Sequence, residues 1–193
     1  MNVETRLPYL KPDELDEEQK KFYENNVQAM QPMPYIWLLE DGELNGPSNS
    51  LLHNAKIGNM LFPLNRAIIR ESIDAVGGAI HELAVLATVA SAKAPYAIYA
   101  HTKLAQKFGL GDDKIAAITA GHPAASFTDQ EAVAYDLTIS LLQPGSIPGM
   151  VYSRAVMAFG EKGLEKLVYA VGMFKLIGTI LNAYNEPVPA DVW

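Results

Sequence analysis

The chain has 193 residues, a formal net charge of −7 and 49% hydrophobic residues, and it contains no cysteine. This length predicts one domain with a core of its own. The acidic balance, with no Lys/Arg cluster against it, disfavours a nucleic-acid partner and an anionic membrane surface. The lack of cysteine excludes disulfides, thiolate metal sites and thiol redox chemistry.

The N-terminal sequence MNVETRLPYLKPDELDEEQ has no basic segment followed by an apolar one, so we expect no signal peptide. No uncharged apolar run reaches the ~18 residues that a membrane-spanning helix needs. We therefore expect a cytoplasmic protein that does not associate with membranes.

The first third of the chain is predicted to contain an arm, a helix and a long loop. Residues 1–11 are expected to form an extended arm, and Pro12 with the acidic residues after it favours a helix that runs to about Met30. Residues 31–47 carry several Pro and Gly residues and predict a loop. The apolar stretch Tyr35–Leu39 within it is typical of a functional or interaction segment.

The middle of the chain carries the most apolar sequence. Residues 46–72 predict two short helices, with Pro63 breaking the chain before the second. After a turn at residues 74–78, the segment from Ala79 to Leu110 predicts two consecutive helices. The first is apolar on nearly every side, which indicates burial within a bundle, and Gly109 marks the end of the second.

The remainder is also predicted to be helical. A helix is expected from about Asp112 to Ala120, and another follows the capping box formed by Thr128 and Glu131. The Pro/Gly-rich segment at residues 144–149 is a firm break, and two further helices are expected over about 150–160 and 163–184. β-Alternation and internal repeats are absent. The fold class is therefore predicted to be all-α, one domain over 1–193 that includes an N-terminal arm and helix within 1–30.

Two polar residues fall inside the apolar helices of the central segment. Glu82 lies in the first helix and His101 in the second, nineteen positions later. Burying either side chain is costly unless it is paired or functional. We therefore predict that the two side chains lie within reach of a hydrogen bond or one bridging water. Such a pair suits general acid–base catalysis; the alternative is that Glu82 only ties the helices together.

The spacing of this pair resembles that of the carboxymuconolactone decarboxylase and alkylhydroperoxidase D family. The two cysteines of that family's thiol motif would fall at Ala94 and Ala97, so the segment is more similar to a cysteine-free branch with the pattern Tyr-Glu-Trp followed by His. Tyr96 and His101 match that pattern, whereas Ala97 and Ile98 replace its Glu and Trp. The resemblance spans roughly residues 45–189.

The resemblance implies a single-domain bundle of the alkylhydroperoxidase D-like fold that assembles as a homo-oligomer, a trimer or hexamer. It implies a lyase or isomerase that needs no cofactor or metal and acts on a small cyclic or carboxylated molecule. His101, Glu82 and Tyr96 would be catalytic. Without a cysteine, no thiol peroxidase activity is expected.

Four further residues are candidates for substrate binding. Tyr99 and His53 are candidates because of their side chains, and Ala97 and Ile98 because of their place in the family pattern. Tyr96 and Tyr99 can equally be core aromatics, and His53 can be structural. The loss of two functional groups at Ala97 and Ile98 leaves a second interpretation open, a non-catalytic small-molecule-binding or scaffold protein on the same fold.

Overall fold

The computed structural model describes residues 5–30 and 33–189, and within these ranges the chain is helical with no β-strand. A single isolated bridge joins Leu38 and Leu44. The all-α prediction is therefore confirmed. After a short 3₁₀ turn at Pro12–Glu14, the helices are α1 Glu17–Met30, α2 Pro47–Leu52, α3 Ala55–Val76, α4 Gly78–Ser91, α5 Pro95–Lys107, α6 Asp112–Thr119, α7 Asp129–Leu142 and α8 Gly149–Tyr184.

Helix α4 lies at the centre of the bundle. It packs against α3, α5, α6, α7 and α8, and the side chains of Leu83, Val85, Leu86 and Val89 are completely buried. Full burial of such a side chain contributes about 1.5–3 kcal/mol, so this helix supplies a large part of the core. The predicted burial on all sides is confirmed.

Several predicted helix ends are confirmed by their capping contacts. Thr128 caps α7 in a capping box with Glu131, and Lys114 of α6 forms an ion pair with the same carboxylate at 2.7 Å. Gly109 follows α5 with a φ of +83°, the left-handed conformation that glycine adopts at least cost. The two segments predicted at the C-terminus are also present within α8, where Gly160 interrupts the helix with a φ of +69°.

Two predicted boundaries were wrong. Pro63 does not break the chain, because it lies inside the 22-residue helix α3. Pro63 has no N–H to donate to the Asn59 carbonyl, but it is on the exposed side of α3, where water can hydrogen-bond to that carbonyl instead. The first helix does not start at Pro12 either. The 3₁₀ turn ends at Glu14, and Asp16 starts α1 by accepting a hydrogen bond from the Gln19 backbone N–H at 2.8 Å.

The loop before α2 packs onto the chain's own fold. Trp37 and Leu44 are buried in a second core cluster with Phe22, Leu52 and Phe62. The apolar residues of this loop therefore need no oligomer to explain them, and homo-oligomer formation stays a prediction. The most exposed large apolar side chains lie on α3 and α8; they include Met60, Leu64, Met150, Met157 and Tyr169.

Helix α8 is long and apolar enough to cross a membrane by length and composition alone, the only such helix among the described residues. Of its most apolar stretch, 44% is buried inside the fold, against α3, α4 and α7. A core helix meets the same test.

Candidate functional site

A cavity of about 450 Å³ lies between α3, α4, α5, α8 and the loop at residues 33–46. One end of it is buried and the other is exposed. The buried wall is formed by Glu82, Tyr96, Ala97, Ala100, His101 and Phe174. The exposed end includes Arg66, Arg70, Asp74, Lys107 and Phe108. A cavity of this size and mostly apolar lining is typical of a small-molecule site.

The Glu82–His101 pair predicted from the sequence forms part of the buried wall. Nδ1 of His101 lies 2.8 Å from Oε2 of Glu82, and the two residues are 9% and 2% exposed. The contact joins α4 to α5, which folds back onto α4 after the turn at residues 92–94. An ionised carboxylate can only accept hydrogen bonds, so Nδ1 of His101 carries a proton and its N–H donates a hydrogen bond to Glu82.

The other nitrogen of the imidazole is available for chemistry. Nε2 of His101 makes no hydrogen bond to the described part of the chain, and the His101 side chain lines the cavity. Phe174 packs edge-on against the imidazole, with ring centroids 4.7 Å apart, and so holds the ring plane. An oriented imidazole with a free Nε2 is the arrangement that a general base or acid needs.

A second histidine, His81, lies beside the pair but is not a candidate for acid–base chemistry at the cavity. His81 is completely buried, and its Nδ1 lies 2.9 Å from Oγ of Ser72. Burial lowers the pKa of His81 to about 4, against the raising effect of the Glu82 charge. The imidazole of His81 is therefore neutral at neutral pH, and it does not line the cavity.

The two tyrosines of α5 are bonded to the loop. The Tyr96 hydroxyl donates to the carbonyl oxygen of Ile36 at 2.8 Å, and the backbone N–H of Ile36 donates to the Tyr99 hydroxyl at 3.0 Å. Tyr96 lines the cavity, but its hydroxyl proton is already donated to the Ile36 carbonyl oxygen. Tyr99 does not line the cavity.

The remaining predicted binding residues divide into one that lies at the cavity and two that do not. Ala97 lines the buried wall, whereas Ile98 and His53 lie outside the lining. Nε2 of His53 lies 2.8 Å from the Pro8 carbonyl oxygen, which indicates that this ring holds the N-terminal arm.

Sequence reasoning missed the phenol that faces the cavity. Tyr35 lines it, and its hydroxyl makes no hydrogen bond to the described residues. Burial raises the pKa of this phenol, and the nearby Glu82 carboxylate raises it further, so Tyr35 is a neutral hydrogen-bond donor at neutral pH. The only sequence signal was an apolar stretch inside a Pro-rich loop, which predicted a functional segment without selecting a residue.

The charged residues at the exposed end were also missed. Nη1 of Arg66 donates to the Ala29 carbonyl at 2.6 Å. Arg70 and Lys107 form no ion pair or hydrogen bond with any described residue, and Asp74 is the one carboxylate among them. Three cations against one anion give this end of the cavity a positive balance that favours an anionic ligand.

A buried carboxylate anchors the loop from the C-terminal side. Glu186 is 3% exposed and accepts hydrogen bonds from the Gly46 N–H at 3.0 Å, the Thr5 hydroxyl at 3.2 Å and the Tyr9 hydroxyl at 3.3 Å. Burial raises the pKa of Glu186, and these hydrogen bonds offset that effect only in part. The N-terminal arm, the loop and the end of α8 therefore meet at one desolvated carboxylate.

The raised pKa of Glu186 predicts how the stability of the fold depends on pH. The pKa of Glu186 is higher in the folded protein than in the unfolded chain. The contribution of protonated Glu186 to the stability of the fold is therefore fully present below the unfolded-state pKa, and it is lost as pH rises through the folded-state pKa. The charged form therefore costs stability at neutral pH. We expect Glu186→Gln, which keeps an acceptor oxygen, to raise the melting temperature at neutral pH and to lose that advantage in acid. Thermal melts across pH check this, with the exposed Glu161→Gln as control; a lower melting temperature at neutral pH would contradict it.

Among the described residues, no group of three His, Asp or Glu side chains is arranged to hold a metal ion. Comparison of the chain with protein-family models, curated proteins and solved structures found no match. The family resemblance carried by Tyr96 and His101 therefore stays a prediction. The functional argument rests on the geometry of the cavity.

Proposed function

We propose that this chain is a cofactor-independent lyase or isomerase of the carboxymuconolactone decarboxylase-like kind, with an alkylhydroperoxidase D-like fold. It would act on a small cyclic or carboxylated organic molecule by general acid–base catalysis. The observation that carries the proposal is the 2.8 Å contact between His101 and Glu82, which leaves Nε2 of the imidazole free at a buried cavity wall.

The charges around the cavity support a carboxylated substrate. Arg70 and Lys107 line its exposed end and have no anionic partner among the described residues. A carboxylate at that end would be held by charge-assisted hydrogen bonds, while the apolar wall takes the carbon skeleton. The reacting carbon would then lie toward His101.

Both reaction types use Nε2 of His101 to move a proton to or from carbon. In an isomerisation, Nε2 removes a proton from the carbon next to a carbonyl group, the electron pair of that C–H bond moves to the carbonyl oxygen, and the proton returns at another carbon. In a decarboxylation, the electron pair of the breaking C–C bond moves to the same kind of oxygen as CO2 leaves, and protonated Nε2 delivers a proton to carbon. Glu82 orients the imidazole and stabilises its cationic form.

One observation favours a second candidate function, a binding protein without turnover. Ala97 lies in the buried wall, so the position at which the resembled pattern carries a carboxylate offers no functional group here. The same change is compatible with an enzyme for a more apolar substrate, and an experiment must separate the two.

A panel of small cyclic carboxylic acids, including lactones and keto acids, tests the proposal. Each acid is paired with its methyl ester, which has the same skeleton without the charge. We expect the acids to raise the melting temperature more than their esters, and at least one acid to lose CO2 or change its double-bond position by NMR. Acids that bind but never turn over would favour the binding-protein alternative. Equal effects of acids and esters would remove the carboxylate from the proposal.

A further inference from the structure

A single peptide unit of the loop is held on both sides by helix α5. Tyr96 binds the carbonyl group of Ile36 at 2.8 Å, and Tyr99 binds its N–H at 3.0 Å. The two rings also pack against each other, with centroids 6.1 Å apart and planes at 72°. Because α5 also carries His101, the backbone of Ile36 is fixed relative to the imidazole.

This attachment determines where the preceding residue lies. Tyr35 is directly bonded to the fixed Ile36 backbone, and its side chain lines the cavity. Further hydrogen bonds support the loop: Asn45 donates from its backbone to Trp37 at 2.8 Å and from its side chain to Ile36 at 3.4 Å. Preorganised support of this kind keeps a functional group in place without ordering it at the moment of reaction.

Of the three phenols around Ile36, only Tyr35 both lines the cavity and has a hydroxyl group without a hydrogen-bond partner in the described chain. The Tyr96 hydroxyl donates its proton to the Ile36 carbonyl, and the Tyr99 hydroxyl, which accepts from the Ile36 N–H, lies outside the cavity lining. Tyr35 and the Glu82–His101 pair line the same cavity, and the charge of Glu82 adds to the raised pKa of the Tyr35 phenol.

We propose that Tyr35 is the hydrogen-bond donor to the substrate oxygen on which negative charge develops, and that Tyr96 and Tyr99 are positioning residues that hold Tyr35 through Ile36. This inference rests on the proposed function, because an enolate-like oxygen arises only if His101 performs acid–base chemistry. The substrate class follows from it: a molecule with a carbonyl oxygen next to the reacting carbon.

A hydrogen-bond donor is needed because the Glu82 carboxylate already carries a negative charge at the site. An enolate oxygen that forms near the Glu82 carboxylate is repelled by it unless a donor and the imidazolium form of His101 offset that charge. A fixed phenol in a cavity with little water can do this without reorganisation. The phenol stays neutral, and its hydrogen bond to the substrate oxygen becomes stronger as negative charge develops on that oxygen.

The inference can be tested without turnover by using p-nitrophenolate as a stable oxyanion and nitrobenzene as its neutral counterpart. The Tyr35 hydroxyl makes no hydrogen bond in the described chain, so Tyr35→Phe removes no hydrogen bond there and should fold normally. We expect wild-type protein to prefer the anion, and Tyr35→Phe to bind it about tenfold to a hundredfold more weakly, with nitrobenzene binding unchanged. Calorimetric titration measures both affinities.

Two variants complete the design. Tyr96→Phe breaks the bond to Ile36 that holds Tyr35, so it should lower the melting temperature and reduce the preference for the anion; the exposed Tyr152→Phe should change neither. The inference is overturned if wild-type protein shows no preference for the anion, if Tyr35→Phe keeps the full preference, or if Tyr96→Phe loses the preference at an unchanged melting temperature. Anion preference through Tyr35 in a protein that turns over no acid would support the donor role while contradicting the proposed catalysis.

Discussion

Replacement of His101 with Gln is expected to lower turnover by on the order of 10²–10⁴-fold, the usual contribution of a positioned general acid or base. Gln is the informative substitution because its amide N–H can still donate to Glu82, whose carboxylate would otherwise be buried without its partner at 2.8 Å. The variant should therefore fold, and the loss should be catalytic. Steady-state kinetics on a substrate from the acid panel, together with urea unfolding, measure the two effects separately.

Glu82→Gln separates two roles of the carboxylate. If Glu82 only orients the imidazole, this variant should lose less activity than His101→Gln; if it transfers the proton itself, the losses should be similar. The exposed His122 provides a control, since His122→Gln should leave the rate unchanged. Equal rates in folded wild-type and His101→Gln proteins would remove His101 from the chemistry.

The Glu82–His101 contact was predictable because it depends on local information. Each residue is a polar group inside an apolar helix, and the turn between the helices is short, so pairing was the cheapest way to bury both. The helix ends at Gly109 and Thr128 were predictable for the same reason, since capping depends on residues a few positions apart.

The phenol at the cavity was not predictable in this way. Tyr35 lies in a loop without periodicity, and its place is set by hydrogen bonds between the backbone of Ile36 and the hydroxyl groups of Tyr96 and Tyr99, 60 and 63 positions along the chain. Nothing in the sequence indicates that the Tyr96 proton is used by a backbone carbonyl, and the catalytic role of Tyr96 stays a prediction. The break predicted at Pro63 was wrong for a related reason, because packing of α3 against α1, α4 and α8 outweighs one missing hydrogen bond.

The second large effect is expected at Gly46, where the loop enters α2. Gly46 has a φ of +66°, and a Cβ atom there would lie inside the van der Waals radius of the buried Tyr96 ring. A φ of +66° with a ψ of −144° is a backbone conformation essentially restricted to glycine, which costs an L residue on the order of 1–3 kcal/mol, and overpacking costs typically a further 1–3 kcal/mol. Gly46→Ala should therefore lower the free energy of unfolding by about 2–6 kcal/mol.

Gly109→Ala is the matched control, because Gly109 also has a positive φ, +83°, but nothing lies within 4 Å of the added Cβ. It should pay only the backbone cost of roughly 1–2 kcal/mol. Urea unfolding of the two variants measures the difference, and equal losses would contradict the contact with Tyr96. Because the displaced ring is the one that binds Ile36, any Gly46→Ala protein that still folds should also lose its preference for the oxyanion probe, whereas Gly109→Ala should keep it.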